Sequence, residues 1–154
     1  MEQAHIAVIT NQLDAHADTV INSLQELGAY VYRINTEEFP EELELTIEDI
    51  GHGFSVHIVS TNFDLNLKHL RSVWYRRPEQ TLATNKFNDQ EVKKFVNNEC
   101  QTTLTNLYEL TECFWVSHPD MIRKARHKLY QAEVARRLDL PPIAIPPVKS
   151  QFHS

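Results

Sequence analysis

His5-Ile6-Ala7-Val8-Ile9-Thr10 is a continuous, β-branched-rich run of strand length, and it reads as a strand covered on both faces. Outward from it, Asp14 to Leu27 places Val20, Ile21, Leu24 and Leu27 on one helical stripe, and Gly28 supplies the stop. Ala29 to Ile34 follows as a second strand. Strand, helix and strand in that order form a βαβ unit, which requires parallel strands and a right-handed crossover. The first run becomes the central strand of an α/β sheet.

Further along, Glu42 to Glu48 alternates acids with Leu43, Leu45 and Ile47, and Gly51-His52-Gly53 separates it from the apolar run Phe54 to Val59. This predicts a β-hairpin with its acids on the wet face. Leu65 to Leu70 reads as a connector or a single helical turn. Ser72-Val73-Trp74-Tyr75-Arg76-Arg77-Pro78 reads as a strand that ends in two cations, where Pro78 lacks the amide to continue a ladder. Asp89 to Thr111 carries Val92, Phe95, Val96, Leu104, Leu107 and Tyr108 at helical spacing, with Asp89 as N-cap. Phe114-Trp115-Val116 is a short strand, and Pro119 opens a final helix, broken near Arg126, that runs to Leu138. Pro141, Pro142, Pro146 and Pro147 oppose regular structure beyond it. The expected organisation is one domain over residues 1–140 followed by a proline-rich tail over 141–154.

The 154 residues carry a net charge of −6, which conceals a division. Residues 1–64 hold twelve acids and one base, Arg33, whereas residues 65–154 hold nine acids and fourteen bases. The overall sign disfavours nucleic-acid binding, although Arg76, Arg77, Arg123, Lys124, Arg126 and Lys128 could form a basic face for an anion. Mutual neutralisation of the two halves is the alternative. No apolar run is long enough to span a bilayer, and the N-terminus has no signal-like core. The expectation is a cytoplasmic protein with no membrane partner. Cys100, on a helix, and Cys113, at a strand start, lack metal-ligand spacing and read as reduced thiols.

Familiar catalytic signatures are missing from the sequence. Its glycines are Gly28, Gly51 and Gly53, none in a phosphate-cradling loop, and Thr10-Asn11-Gln12-Leu13-Asp14 lacks the glycines that admit a pyrophosphate. No Ser or Cys occupies a nucleophile elbow. His16-Ala17-Asp18 and His118-Pro119-Asp120 suit either general acid/base work or helix capping. If the strands are parallel, Asn11, Asn35, Arg76, Arg77, Ser117 and His118 emerge at one carboxyl edge, with His16 brought there by the first helix. That set suits an anionic or amide-rich ligand, without a nucleophile. Pairing of the arginines with this protein's own acids is the competing reading.

Three segments resemble the N-terminal, pre-ATP-grasp domain of the microviridin-type (MvdD-like) ATP-grasp peptide maturases, the graspetide or RiPP maturases. They are Ile9-Thr10-Asn11 with Asp14-Ala15-His16-Ala17-Asp18, Arg33-Ile34-Asn35-Thr36-Glu37-Glu38-Phe39-Pro40, and Val73-Trp74-Tyr75-Arg76-Arg77-Pro78. A fourth, Trp115-Val116-Ser117-His118-Pro119 with Lys128-Leu129-Tyr130-Gln131 and Ala135-Arg136, looks like the family's junction helix. The resemblance covers roughly residues 4–140. It implies a Rossmann-like pre-ATP-grasp domain, mainly a parallel sheet with helices on both faces and an inserted antiparallel hairpin. It also implies membership of a ligase that uses ATP and Mg²⁺ to activate side-chain carboxylates of a precursor peptide, forming lactone or lactam links.

In that family the nucleotide and metals are held by the central and C-terminal ATP-grasp parts. No ATP ligand, Mg²⁺ ligand or glycine-rich lid carries over to this sequence, and Arg76 and Arg77 carry over without an assigned role. The expectation is therefore a stand-alone or truncated domain, with no cofactor and no catalytic residue of its own, that partners a separate ATP-grasp half or maturase. A binding module for an acidic precursor peptide is the alternative. Self-association as a homodimer, through an apolar surface that the ATP-grasp half would cover, is a third.

Overall fold

The computed structural model describes residues 3–81 and 87–141, so the proline-rich segment from residue 142 onward lies outside the described residues. The chain divides into two compact units, with the boundary between Ser117 and His118.

The first unit is built on a four-stranded sheet in the order β2-β1-β6-β7. β1 (His5–Thr10) lies between β2 (Tyr30–Asn35) and β6 (Leu70–Tyr75), parallel to both, and β7 (Phe114–Val116) adds parallel to β6. The central place read for the first strand is correct. Its β-branched side chains are covered on both faces, so a continuous apolar run is what its position requires.

Side chains alternate across this sheet, and two cores result. On one face Val8 packs with Ala17 and Ile21 of α1 (Ala15–Glu26), with Val31 and Trp74 against them. On the other, Ala7, Ile9, Ile34 and Val73 meet Cys100, Leu104, Leu107 and Tyr108 of α2 (Gln90–Glu109). Helices thus cover both faces.

The helical stripes are narrower than the spacing predicts. In α1 the buried residues are Ala17 and Ile21, whereas Val20 and Leu27 are exposed. In α2 the burial begins at Cys100, and Val92 and Phe95 in the first turns are exposed. Spacing gives the face of a helix but not how much of its length has a sheet to lie on. Gly28 does end the first helix, with φ +85°, a conformation an L side chain adopts only at a cost.

The expected hairpin is part of a larger structure. β3 (Leu43–Asp49) and β4 (Phe54–Ser60) pair antiparallel as predicted, and β5 (Asp64–Asn66) adds to β4 as a third strand. The segment read as a connector thus supplies β5, a 3₁₀ turn at Leu67–His69 and the start of β6. Three residues are too few for period-2 alternation to be visible. Leu43, Val56, Ile58 and Leu65 fasten this second sheet to the same core as α2. Ile47, expected inward with Leu43 and Leu45, is half exposed near the hairpin tip.

The second unit contains α3 (Pro119–Ala125) and α4 (Lys128–Arg137), with the interruption at Arg126 that the sequence predicts. The Gln131 side-chain amide donates to the Ala125 carbonyl at 2.6 Å, which joins the two helices. Glu133 accepts from Arg136 and Arg137, and these hydrogen bonds hold its carboxyl down to about 2. Among the described residues, no helix is long and apolar enough to cross a membrane.

Candidate functional site

Because the four strands are parallel, Thr10, Asn35, Tyr75 and Val116 end at one edge of the sheet. In open α/β sheets this is the edge at which ligands bind. Here it is held by a dense polar network.

Asp14 is at the centre of that network. It caps α1 by accepting from the Ala17 amide at 3.2 Å, accepts from the buried Thr10 hydroxyl at 3.0 Å, and takes the Arg76 Nε–H at 3.2 Å. Burial opposes its charge, but the Ala17 amide, the Thr10 hydroxyl and the Arg76 guanidinium together hold its carboxyl below the usual range. The Arg76 guanidinium also lies 5.5 Å from the centre of the Trp74 ring, within cation–π range. Arg76 is therefore engaged on the α1 face.

Arg77 differs from its neighbour. Its side chain is exposed, while its carbonyl accepts from Asn11 Nδ2 at 2.7 Å. Asn11 Oδ1 accepts the Leu13 amide at 3.0 Å, so Asn11 closes its own turn and ties it to the end of β6. The two arginines thus differ in environment: Arg76 is half-buried and paired, and Arg77 is exposed.

A second hub forms around Arg33, the one base in the acidic first half. Its guanidinium donates to the carbonyls of Asn11 and Gln12 at 2.5 and 3.2 Å, donates to Asn35 Oδ1 at 2.8 Å, and pairs with Asp18. The Asn35 amide passes the chain on to Glu38 at 2.7 Å. Glu37 Oε1 accepts the Gln12 amide at 2.6 Å, and its Oε2 is buried with no hydrogen-bond partner among the described residues.

The structure brings Asn11, Asn35, Arg76 and Arg77 together. His16 is exposed in the first turn of α1, and Ser117 is exposed just past β7 with φ +66°. His118 lies in the second unit, where its Nδ1 accepts the Asp120 amide at 3.2 Å and caps α3. Among the described residues, no cluster of three or more His, Cys, Asp or Glu side chains is placed to hold a metal ion.

Asp14 and Arg33 head two of the segments quoted for the resemblance, but neither was named as a site candidate. The bond of Asp14 to Arg76 spans 62 positions, and a lone base among acids does not announce which groups Arg33 will hold.

Parallel strands, helices on both faces and a polar carboxyl edge define a Rossmann-like module. Residues 5–123 match the model of the MvdD pre-ATP-grasp domain, and the chain belongs to that family. Among solved structures it is similar to macrocyclase MdnC from Microcystis aeruginosa, solved with its precursor peptide MdnA, at 24% identity and a TM-score of 0.78, covering 87% of this chain and 44% of that one. Macrocyclase MdnB from the same organism gives 27% and 0.77, covering 94% and 46%. A RiPP-associated ATP-grasp ligase from Chryseobacterium gregarium, solved with ADP and a leader and core peptide, gives 22% and 0.79, covering 88% and 41%. The chain thus spans less than half the length of these structures. No curated protein matches it.

Proposed function

We propose that this domain serves as the pre-ATP-grasp part of an ATP-dependent peptide ligase that joins side-chain carboxylates of a ribosomal precursor peptide into lactone or lactam links. The observation that carries this reading is the family match over residues 5–123. In this reading the domain offers a preorganised sheet edge, and ATP and Mg²⁺ are held by an ATP-grasp portion beyond these residues. The 154-residue chain has no glycine-rich phosphate cradle, and Arg76, the best-placed cation of the strand tip, is engaged by Asp14. Activation of a carboxylate by this chain alone is not expected.

The test is reconstitution. Purified chain, ATP, Mg²⁺ and a precursor peptide are expected to give no water-loss product by mass spectrometry, while addition of an ATP-grasp portion from a relative such as MdnB restores it. Ligation by the chain alone, or no ligation in the complete mixture when native MdnB is active, rejects the reading.

A second reading is favoured by the exposure of Arg77. With Asn11 fixing its carbonyl and His16 nearby in sequence on α1, the edge could recognise a carboxylate of an acidic peptide by charge-assisted hydrogen bonds. In that case the domain acts as a binding module. Of the remaining candidates, Asn35 and Arg76 would contribute position and not contact.

A further inference from the structure

The tip of β6 separates two surfaces of opposite character. Arg76 turns to the α1 face and its ion pair, whereas Tyr75 packs on the α2 face, its ring 5.6 Å from that of Tyr108 in an edge-to-face contact. Beside this aromatic pair, between the segment 78–81 and α2, lies a cleft of about 350 Å³, within the size range of small-ligand sites. It lies entirely in the first unit and opens at the carboxyl edge, since Thr36 follows β2 and Pro78 follows β6.

The walls of the cleft are fixed. Thr36 Oγ1 donates to the Glu79 carbonyl at 2.7 Å, and the buried Thr81 donates through Oγ1 to the Asn97 carbonyl at 3.2 Å. The segment 78–81 is thereby tied on one side to the 3₁₀ turn that follows β2 and on the other to α2. Burial pushes the Tyr108 phenol up, and the neighbouring Tyr75 adds to the shift, so the floor stays uncharged at physiological pH. Asn98 and Gln101 line the helical wall three residues apart, on one side of α2, and both are exposed. Each carries a carboxamide that donates and accepts.

Charge then selects the ligand. Among the described residues that line the cleft, the one charged side chain is Glu79, and there is no cation. A carboxylate or phosphate would meet the like charge of Glu79 there, with no counter-charge among the described lining residues, which is unfavourable. A peptide main chain presents what this lining lacks and needs: alternating neutral donors and acceptors, with side chains that rest on aromatic rings.

We propose that this amide-walled cleft binds an uncharged stretch of an extended peptide, beside and separate from the exposed side chain of Arg77. The proposal rests on the peptide-ligase reading and adds a subsite to it. A neutral probe, acetyl-Thr-Asn-Tyr-Thr-amide, and an acidic one, acetyl-Glu-Asp-Glu-Asp-amide, titrated into the ¹⁵N-labelled 154-residue chain test it. The neutral probe is expected to shift the amide signals of Gln80, Asn98 and Gln101. Gln101→Leu and Asn98→Leu should each weaken it about three- to tenfold, the value of one hydrogen bond, while Arg77→Ala leaves it unchanged. Gln101→Ala, at the same exposed position, repeats the test should the leucine variant lose its thermal transition. No shift at these residues, or equal affinity in the Gln101 and Asn98 variants, overturns the cleft. That outcome leaves ligation in the reconstituted mixture untouched, whereas cleft binding without ligation overturns the ligase reading alone.

Discussion

Arg76 Nε donates to Asp14 Oδ2 at 3.2 Å, joining the end of β6 to the N-cap of α1 across a buried carboxylate. One residue thus caps a helix, receives the Thr10 hydroxyl of the central strand and neutralises the strand-tip cation. The pair holds the carboxyl edge in shape from the α1 side.

Asp14→Ala is expected to cost about 1–2 kcal/mol from the lost cap alone, and more because Arg76 is left without its partner. Asp14→Ala, Arg76→Ala and the double variant, compared by urea unfolding, should show a coupling above about 0.5 kcal/mol. Additive effects would show that the two residues act independently.

The same carboxylate sets an acid limit. Its folded value lies below its ordinary 3.8, so its contribution is fully present above that value and is lost as pH falls through the lower, folded one. Stability from this group should be flat from neutrality to about pH 5. The difference between wild type and Asp14→Asn should narrow below pH 4 in the acid limb of a pH–urea surface.

The neighbouring arginines should respond oppositely. Arg77→Ala is expected to leave stability within about 0.5 kcal/mol of wild type, because its side chain is exposed at the strand tip, and to weaken binding of an acidic peptide. Arg76→Ala should lower stability by about 1 kcal/mol or more, through the ion pair and the Trp74 contact. Calorimetric titration beside thermal unfolding separates the two, and equal behaviour removes the distinction.

Core and surface positions of similar chemistry should also part. Leu65→Ala removes a fully buried side chain that fastens the second sheet and should cost about 2–5 kcal/mol. Leu27→Ala, 84% exposed at the end of α1, should change stability by less than about 0.5 kcal/mol. Denaturation midpoints at constant slope provide the comparison.

Gly28→Ala isolates a backbone effect. Nothing lies within 4 Å of an added Cβ, yet φ is +85°, so the expected loss of about 1–2 kcal/mol comes from the left-handed conformation alone. A neutral result in urea unfolding would mean that the turn relaxes.

Much of the architecture is legible in the sequence because periodicity and punctuation are local. The buried run at His5–Thr10, the stop at Gly28 and the Gly51–Gly53 turn each announce an element within a few residues of themselves. β5 escapes because three residues carry no period, and it is a strand only because β4 offers it an edge. The narrowed stripes of α1 and α2 have a similar cause, since burial depends on what lies opposite and not on spacing alone.

At the candidate site the division is the same. Parallel order alone predicts that Asn11, Asn35, Arg76, Arg77, Ser117 and His118 emerge at one edge, with His16 beside them, because strand direction fixes where each strand ends. The structure brings the first four together, while His118 caps α3 in the second unit. Their partners were settled by the tertiary structure: Asp14 for Arg76, the Arg77 carbonyl for Asn11, and Arg33 for Asn35. The cleft beside them arises where β2, β6 and α2 converge. The sequence by itself determined the parallel strands, the hairpin, the helices and the edge, since these follow from local propensity and chain direction. Only the tertiary structure decided which cation is engaged, which is exposed and where a cleft opens beside them, because those depend on side chains that meet across tens of residues.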